Sequence, residues 1–477
     1  LYLQRNFVDV IKKIENVIKI WNMRGLSLLG KITIFKTKAI SKIVYISYLS
    51  VIPPEVITSL ENIHKKFIWD NKRAKIKHSA LINNYSDGGL KDIDIKSKFM
   101  ALHLSWVKRL YDDNFHPWKS IPLYLIKRIS KCDSIFYPNL CMPLSQTSLP
   151  SFYRNIVSNW TKISQSSPTT TTSVLSESIW HNSLIQIGSK SITPSFFQLN
   201  VPLFIRDLVD TNGSFLSWEA FKLKYNIRAE FLFKWLQLKN SIPKNWLDLI
   251  NCDRTLSEVL CDYKPHLNNK ARILSIEKLS SCEIYHIIVQ KNSQVPTSQN
   301  YFEQIFNTRF DWSKVYLLPR IVTVDSYSRM FQYKILNNIL FLNNKLFHSN
   351  LVDSPLCSLC NLENETVEHL LSKCPVTIFL WTALKLKFRN NLHLKDLTPQ
   401  SATLGVLEEN KEDKIVISHI LLIFKIFLFK YRNKNPTIDM LLLYINNIVE
   451  VEKNLSSSSQ KRSEFHKKKW AKIKELL

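Results

Sequence analysis

The sequence predicts a mainly α-helical chain with one small unit built around cysteine and histidine. Three observations predict it. Apolar residues recur at steps of three and four in the best-patterned segments. A 45% hydrophobic content with 12% aromatics in 477 residues is enough for real cores and is not a disordered composition. Sulfur and imidazole side chains cluster once, between residues 357 and 374.

Residues 1–80 read as a small helical bundle. Leu3, Phe7, Val10, Ile11, Ile14, Val17, Ile18 and Trp21 line one face of an amphipathic helix. Asn22 to Gly25 break it. Ser27 is placed to cap a second helix carrying Leu28, Leu29, Ile32, Phe35, Ala39, Ile40, Ile43 and Val44, with Lys31, Lys36, Lys38 and Lys42 on its other face. Pro53-Pro54 end that helix and start a third, with Val56, Ile57, Leu60, Ile63 and Phe67 inward. The run from Trp69 to His78 interleaves an aromatic with Lys72, Arg73, Lys75 and Lys77, which suits phosphate contacts beside one stacking ring. A solvated helix end is the plain alternative.

Residues 81–163 read as mostly helical after a turn at Asp87-Gly88-Gly89. The Ser/Thr-rich stretch 164–178 reads as a flexible loop or linker. Residues 179–310 mix short helical patterns with loops and carry no evident chemistry. The next region, 311–385, holds an amphipathic helix pair at 326–348 and the Cys/His cluster. The last, 386–477, combines an apolar helical segment at 415–450, a Ser456–Ser459 linker and a basic tail, Lys467-Lys468-Lys469-Trp470. The most apolar run, Ile415 to Phe429, is interrupted by His419 and Lys425 and is too short for a membrane span, so it is expected to be a buried helix.

Charge points to the partner class. The chain has 65 Lys+Arg against 39 Asp+Glu, a net +26. Such an excess favours a polyanion through counterion release. Residues 1–80 alone hold 15 basic and 5 acidic residues. None of the 7 glycines forms a nucleotide-cradling loop of the GxGxxG or GxxxxGK[ST] kind. The 8 cysteines are too few and too irregular for a secreted disulfide scaffold. The opening Leu1-Tyr2-Leu3-Gln4-Arg5 carries no initiator Met and no signal pattern, so the chain reads as internal to a larger protein.

The sharpest local signal is Cys357-x2-Cys360-x8-His369-x4-Cys374, bracketed by Pro355 and Pro375. Two thiolates two residues apart hold one edge of a metal, and a histidine and third cysteine about one turn apart complete a set suited to tetrahedral Zn²⁺. Four protein ligands leave no open position, so the expected role is structural. Cys132, Cys141, Cys252, Cys261 and Cys282 lack companion spacing and are expected in the core.

Three stretches together carry a family likeness. They are Trp21-x2-Arg24-Gly25-Leu26-Ser27-Leu28-Leu29-Gly30-Lys31 running on to Ile52-Pro53-Pro54 and Phe67-Ile68-Trp69; Lys72-Arg73-Ala74-Lys75-Ile76 followed by Gly88-Gly89-Leu90; and Phe331-x3-Ile335, Cys-x2-Cys, Glu365-Thr366, His369-Leu370-Leu371 and Cys374-Pro375. Their order resembles the region after the polymerase palm in LINE-type (non-LTR) retrotransposon reverse transcriptases, covering residues 1–110 and 311–385. The resemblance implies a mainly α chain with a helical thumb-like bundle, a helical connecting region, a small CCHC zinc knuckle and a helical basic C-terminus. It implies that the thumb, through Arg24, Lys31, Lys36, Lys38 and Lys42, and the segment Trp69, Lys72, Arg73, Lys75 and Lys77 grip template–primer. The knuckle would bind element RNA or target DNA during target-primed reverse transcription, in nucleus or cytoplasm.

Catalysis is not expected of this chain. Reverse transcriptases hold two Mg²⁺ with a [Phe/Tyr]-x-Asp-Asp hairpin. The adjacent pair here, Asp112-Asp113, has its aromatic one position late and His116-Pro117 where a second strand would run. It is expected in a loop or helix end. No Pro-Asp dipeptide marks a restriction-like endonuclease. The alternative function is a zinc-knuckle scaffold, derived from a retrotransposon, that binds protein partners.

Overall fold

The computed structural model describes residues 2–112, 114, 116–130, 139–140, 149–165, 167–210, 213–252, 266–269, 272–392, 394–406 and 411–473. The chain is mainly α, with helices throughout and two short antiparallel strand pairs among the described residues. Gln186–Ile187 pairs with Lys190–Ser191, and His266–Asn269 with Arg272–Ser275. No helix among the described residues is long and apolar enough to cross a membrane.

The N-terminal elements start and stop where their residues dictate. The amphipathic helix runs Tyr2–Asn22, with Phe7 and Ile14 fully buried. Ser27 caps the next helix, Leu28–Ile34, its hydroxyl accepting from Gly30 N at 3.2 Å. A π turn at Phe35–Ala39 follows, then Ser41–Leu49. Pro54 sits at the first position of Pro54–Ile68, where its missing N–H costs nothing.

Two compact units make up the chain. One holds Leu1–Val10, Ser41–Leu60 and Asp94–Lys291; the other holds Ile11–Ile40, Glu61–Ile93 and Asn292–Leu477. In the first, Ile95–Tyr111 packs against Ser151–Ser164 through Leu104, Val107, Ile156 and Trp160. A separate core gathers Trp180, Phe221, Trp235 and Trp246. The Ser/Thr-rich stretch is not loose: Thr170 caps a short helix, Thr171–Leu175, whose Val174 and Leu175 enter that core. Composition argued for a linker, but the capping box and the two aliphatics decide otherwise. Asp112 follows the helix Ile95–Tyr111 as an exposed cap residue, and Asp113 lies outside the described residues.

In the second unit the helix Lys411–Tyr431 is central, buried from Val416 to Leu428. It packs against Trp312–Val322, Ser326–Leu336 and Ile438–Ser456. The expected buried helix at 415–429 is therefore present. The basic tail is a helix, Gln460–Trp470, and Lys469 and Trp470 are buried, donating to Glu452 at 2.8 and 3.1 Å. Cys282 corrects its expectation: it is exposed, because Ser281–Asn292 buries the stripe Ile284, Ile287 and Ile288 instead. Cys132, Cys141 and Cys261, and the side chain of Cys252, lie outside the described residues.

Candidate metal centre

The knuckle is a tight hairpin. Leu356 and Asn364 pair across it, and Cys357 N donates to Glu363 O at 2.8 Å. Asn361 N donates to Cys357 O at 2.8 Å with Asn361 in the left-handed region (φ 55°), where asparagine is tolerated. The Cys357 sulfur accepts the backbone N–H groups of Leu359 and Cys360, as two cysteines two residues apart allow.

The second half comes from a helical turn. Thr366 Oγ1 accepts from His369 N at 3.1 Å, starting the turn. His369–Lys373 is a π turn, closed by Cys374 N donating to His369 O at 2.8 Å. The extra residue in this turn is what brings His369 and a cysteine five positions later to one place, and such turns recur at functional sites. Cys374 then caps Pro375–Phe388, with Pro375 at the first helical position. The backbone N–H groups of Thr377 and Val376 at the helix N-terminus help to hold its thiol down.

The ligand atoms of Cys357, Cys360, His369 and Cys374 all lie within 4.8 Å of one another, with Cys360 Sγ to His369 Nε2 at 3.3 Å. Zn–S and Zn–N bonds of about 2.3 and 2.0–2.1 Å make a tetrahedron with edges of roughly 3.4–3.8 Å, so the set fits one zinc ion. Cys357 and Cys374 are fully buried, and His369 nearly so. The Cys357 thiol donates to the Cys374 sulfur, which lowers the Cys374 thiol to about 5 with help from the two helix N–H groups. The same hydrogen bond and burial push the Cys357 thiol up. A bound cation would take the place of the shared proton.

Residues that the spacing could not reveal set the geometry. Glu363 accepts from His369 Nδ1 at 2.9 Å, which leaves Nε2 free to face the sulfurs. Glu365, fully buried, accepts from Asn343 N at 3.1 Å and Ser358 N at 3.0 Å. Arg432 Nε lies 3.5 Å from the same carboxylate. Glu365 thus ties the knuckle to the helix Asn343–Phe347 and to Arg432, which follows the helix Lys411–Tyr431. Glu365 stands in the sequence beside Thr366 as part of the family likeness, but its burial and its bonds to Asn343, Ser358 and Arg432 come from the fold.

The predicted nucleic-acid residues are placed unevenly. Lys31 is buried, pairs with Asp70 and lies 5.8 Å from the Phe67 ring centre, so it is not on the outer face. Its stem follows the apolar side of a helix whose period alone put it outside. Lys36, Lys38 and Lys42 are exposed; Lys42 belongs to the first unit and the rest to the second. Arg24 is exposed over Trp21 at 4.7 Å, and Trp69 is half-buried. Lys72, Arg73, Lys75 and Lys77 are exposed. Lys75 sits 3.8 Å over the ring of Phe341, itself 45% exposed. Partial burial and repulsion by Lys334 and Lys72 lower the Lys75 ammonium. Lys334 and Phe341 therefore lie beside the sequence-predicted Lys75. The backbone of Phe341 is in turn touched by Arg432 Nη2 at 3.4 Å, the same arginine that meets Glu365.

Residues 280–381 match the model of a family described as zinc-binding in reverse transcriptase. The match encloses all four ligand residues. The cofactor of this site is zinc, and the matched region is similar to the zinc-binding part that accompanies reverse transcriptases.

Proposed function

We propose that the chain is the nucleic-acid-binding C-terminal segment of a LINE-type non-LTR retrotransposon reverse transcriptase. It grips template–primer and element RNA or target DNA in target-primed reverse transcription, and the polymerase chemistry is supplied elsewhere. The observation that carries this is the family match around the four zinc ligands. Support comes from the +26 charge and from the cluster of Lys72, Lys75 and Lys334 beside an exposed Phe341. Mutually repelling ammonium groups over an exposed ring suit phosphates and a stacked base.

Zinc supplies no reaction step in this reading; when bound it fixes the hairpin to the helix Pro375–Phe388. Cys357, Cys360, His369 and Cys374 hold it, Glu363 orients His369, and Glu365 ties the hairpin to Arg432 and so to the backbone under Lys75. The knuckle then serves the cationic surface by holding it in place.

The test is binding of the chain to a labelled RNA–DNA hybrid across a salt series, with zinc quantified in the same preparation. Six or more phosphate contacts predict a fall of about a thousandfold or more in affinity between 50 and 200 mM salt. A flat salt response would overturn the proposal. It would favour a protein-binding scaffold, for which one observation speaks: an open pocket of about 500 Å³ lined by the exposed Ile321, Val324, Leu455 and Phe465.

A further inference from the structure

A second group of metal-type side chains lies apart from the CCHC set. His64, on the helix Pro54–Ile68, His78, opening the helix His78–Leu81, and Asp92, after the Gly88-Gly89 turn, bring their ligand atoms within 4.8 Å of one another. His64 Nε2 is 3.0 Å from Asp92 Oδ1, and His78 Nε2 is 3.6 Å from Asp92 Oδ2. Zn–N and Zn–O bonds of about 2.0–2.2 Å give ligand–ligand edges of roughly 3.3–3.6 Å, which these two distances bracket.

We propose that His64, His78 and Asp92 form a second site for a divalent transition metal of the zinc type. Two imidazoles and one carboxylate are a donor set that such ions accept, and that Mg²⁺ and Ca²⁺, which prefer all-oxygen shells, do not. Each ligand is already oriented. The His64 ring packs on Phe35 with centroids 4.5 Å apart, and Asp92 Oδ1 also accepts from Ile93 N at 2.8 Å. The Gly88-Gly89 turn delivers Asp92: Gly88 has φ +77°, and a Cβ on Gly89 would lie 2.1 Å from Asn83 O. Asp92 N then donates to Leu81 O at 3.0 Å.

The site has a closed side and an open side. The Asp92 carboxylate is fully buried and His64 nearly so, while the His78 side chain is 46% exposed. An ion enters past His78. Its Nε2 exchanges the bond to Ile93 O, now 3.1 Å, for the metal, and the ring proton resides on Nδ1. Three protein ligands leave the fourth position to water.

The consequence is mechanical. His64 and His78 flank the basic segment Trp69–Lys77 in sequence. That segment turns through Asp70 and Asn71, both at positive φ, with few backbone bonds of its own. Ligation of both histidines closes this loop at its base and restricts the Lys72–Lys77 cations. Metal binding itself stands independently of the nucleic-acid reading.

The test uses the full chain, stripped of metal and titrated with Co²⁺ and with Zn²⁺. Thiolate ligation of Co²⁺ gives sulfur-to-metal charge-transfer absorption; nitrogen and oxygen ligation gives weaker d–d bands without it. The wild-type chain is expected to take two equivalents with both signatures. His78→Gln, at a half-exposed position and with folding verified by circular dichroism, is expected to lose the second signature and keep the first. Cys357→Ser with Cys360→Ser is expected to do the reverse. One equivalent in the wild type, or a second equivalent that survives His78→Gln unchanged, overturns the proposal. Asp92→Asn is a further arm, and should it unfold, His78→Gln still decides.

Discussion

Replacing Glu363 by Ala tests how the zinc ligands are held. Glu363 Oε2 accepts from His369 Nδ1 at 2.9 Å, so the carboxylate fixes both the ring orientation and the tautomer that presents Nε2. Outer partners of metal-bound histidines typically contribute about 10–100-fold in metal affinity. The Glu363 side chain is 68% exposed, so water can replace part of its bond, which places the expected loss near tenfold, about 1.4 kcal/mol. Glu368 supplies an internal control. It adjoins His369 in sequence, but its carboxylate pairs with Lys373 at 2.8 Å. Zinc dissociation constants are measured by competition with a chromophoric chelator at fixed pH, with circular dichroism to verify folding. Equal affinities for Glu363→Ala and Glu368→Ala would refute the reasoning, because proximity in sequence would then matter as much as the Nδ1 contact.

Three further outcomes are expected. Lys425 is fully buried with Nζ 2.6 Å from Gln332 Oε1, and burial lowers its ammonium to about 7. Its folded value lies below the unfolded one, so the folded state carries a charge penalty below about pH 7 that is relieved as pH rises toward 10.5; the unfolding free energy from denaturant melts should climb across that window by a few kcal/mol at most, and Lys425→Met should remove the slope. Lys31→Ala should destabilise by about 1–2 kcal/mol through lost packing while leaving RNA–DNA affinity unchanged, whereas Lys75→Ala should lower the salt slope by about 1 with little effect on stability. A reversed pattern in parallel melts and salt titrations would show that Lys31 faces ligand. Gly89→Ala forces a Cβ against the Asn83 carbonyl and should cost about 1–3 kcal/mol, read as a lowered melting temperature of the unit containing it. An unchanged melt would show that the turn relaxes freely.

Much of the local structure was legible in the residues themselves. Ser27, Pro54 and the apolar stripe from Phe7 to Ile18 mark helix boundaries and a buried face through forces that act within one or two turns. The four zinc ligands were legible for the same reason, since they lie within 18 positions and their types match the chemistry of one ion. The Ser/Thr-rich stretch misled because composition averages over residues, while Thr170 and Val174 act singly, as cap and as core.

By itself, then, the sequence determined a helical chain, a basic character and a CCHC site. Only the tertiary structure decided which lysines stay outside, since helical period assigns a face but not a neighbour, and Asp70 meets Lys31 from 39 positions away. Tertiary packing likewise placed Phe341 under Lys75, Arg432 against Glu365, and His64 beside Asp92 across 28 positions. These are meetings between segments whose local preferences are silent about one another, brought together by burial of a shared core.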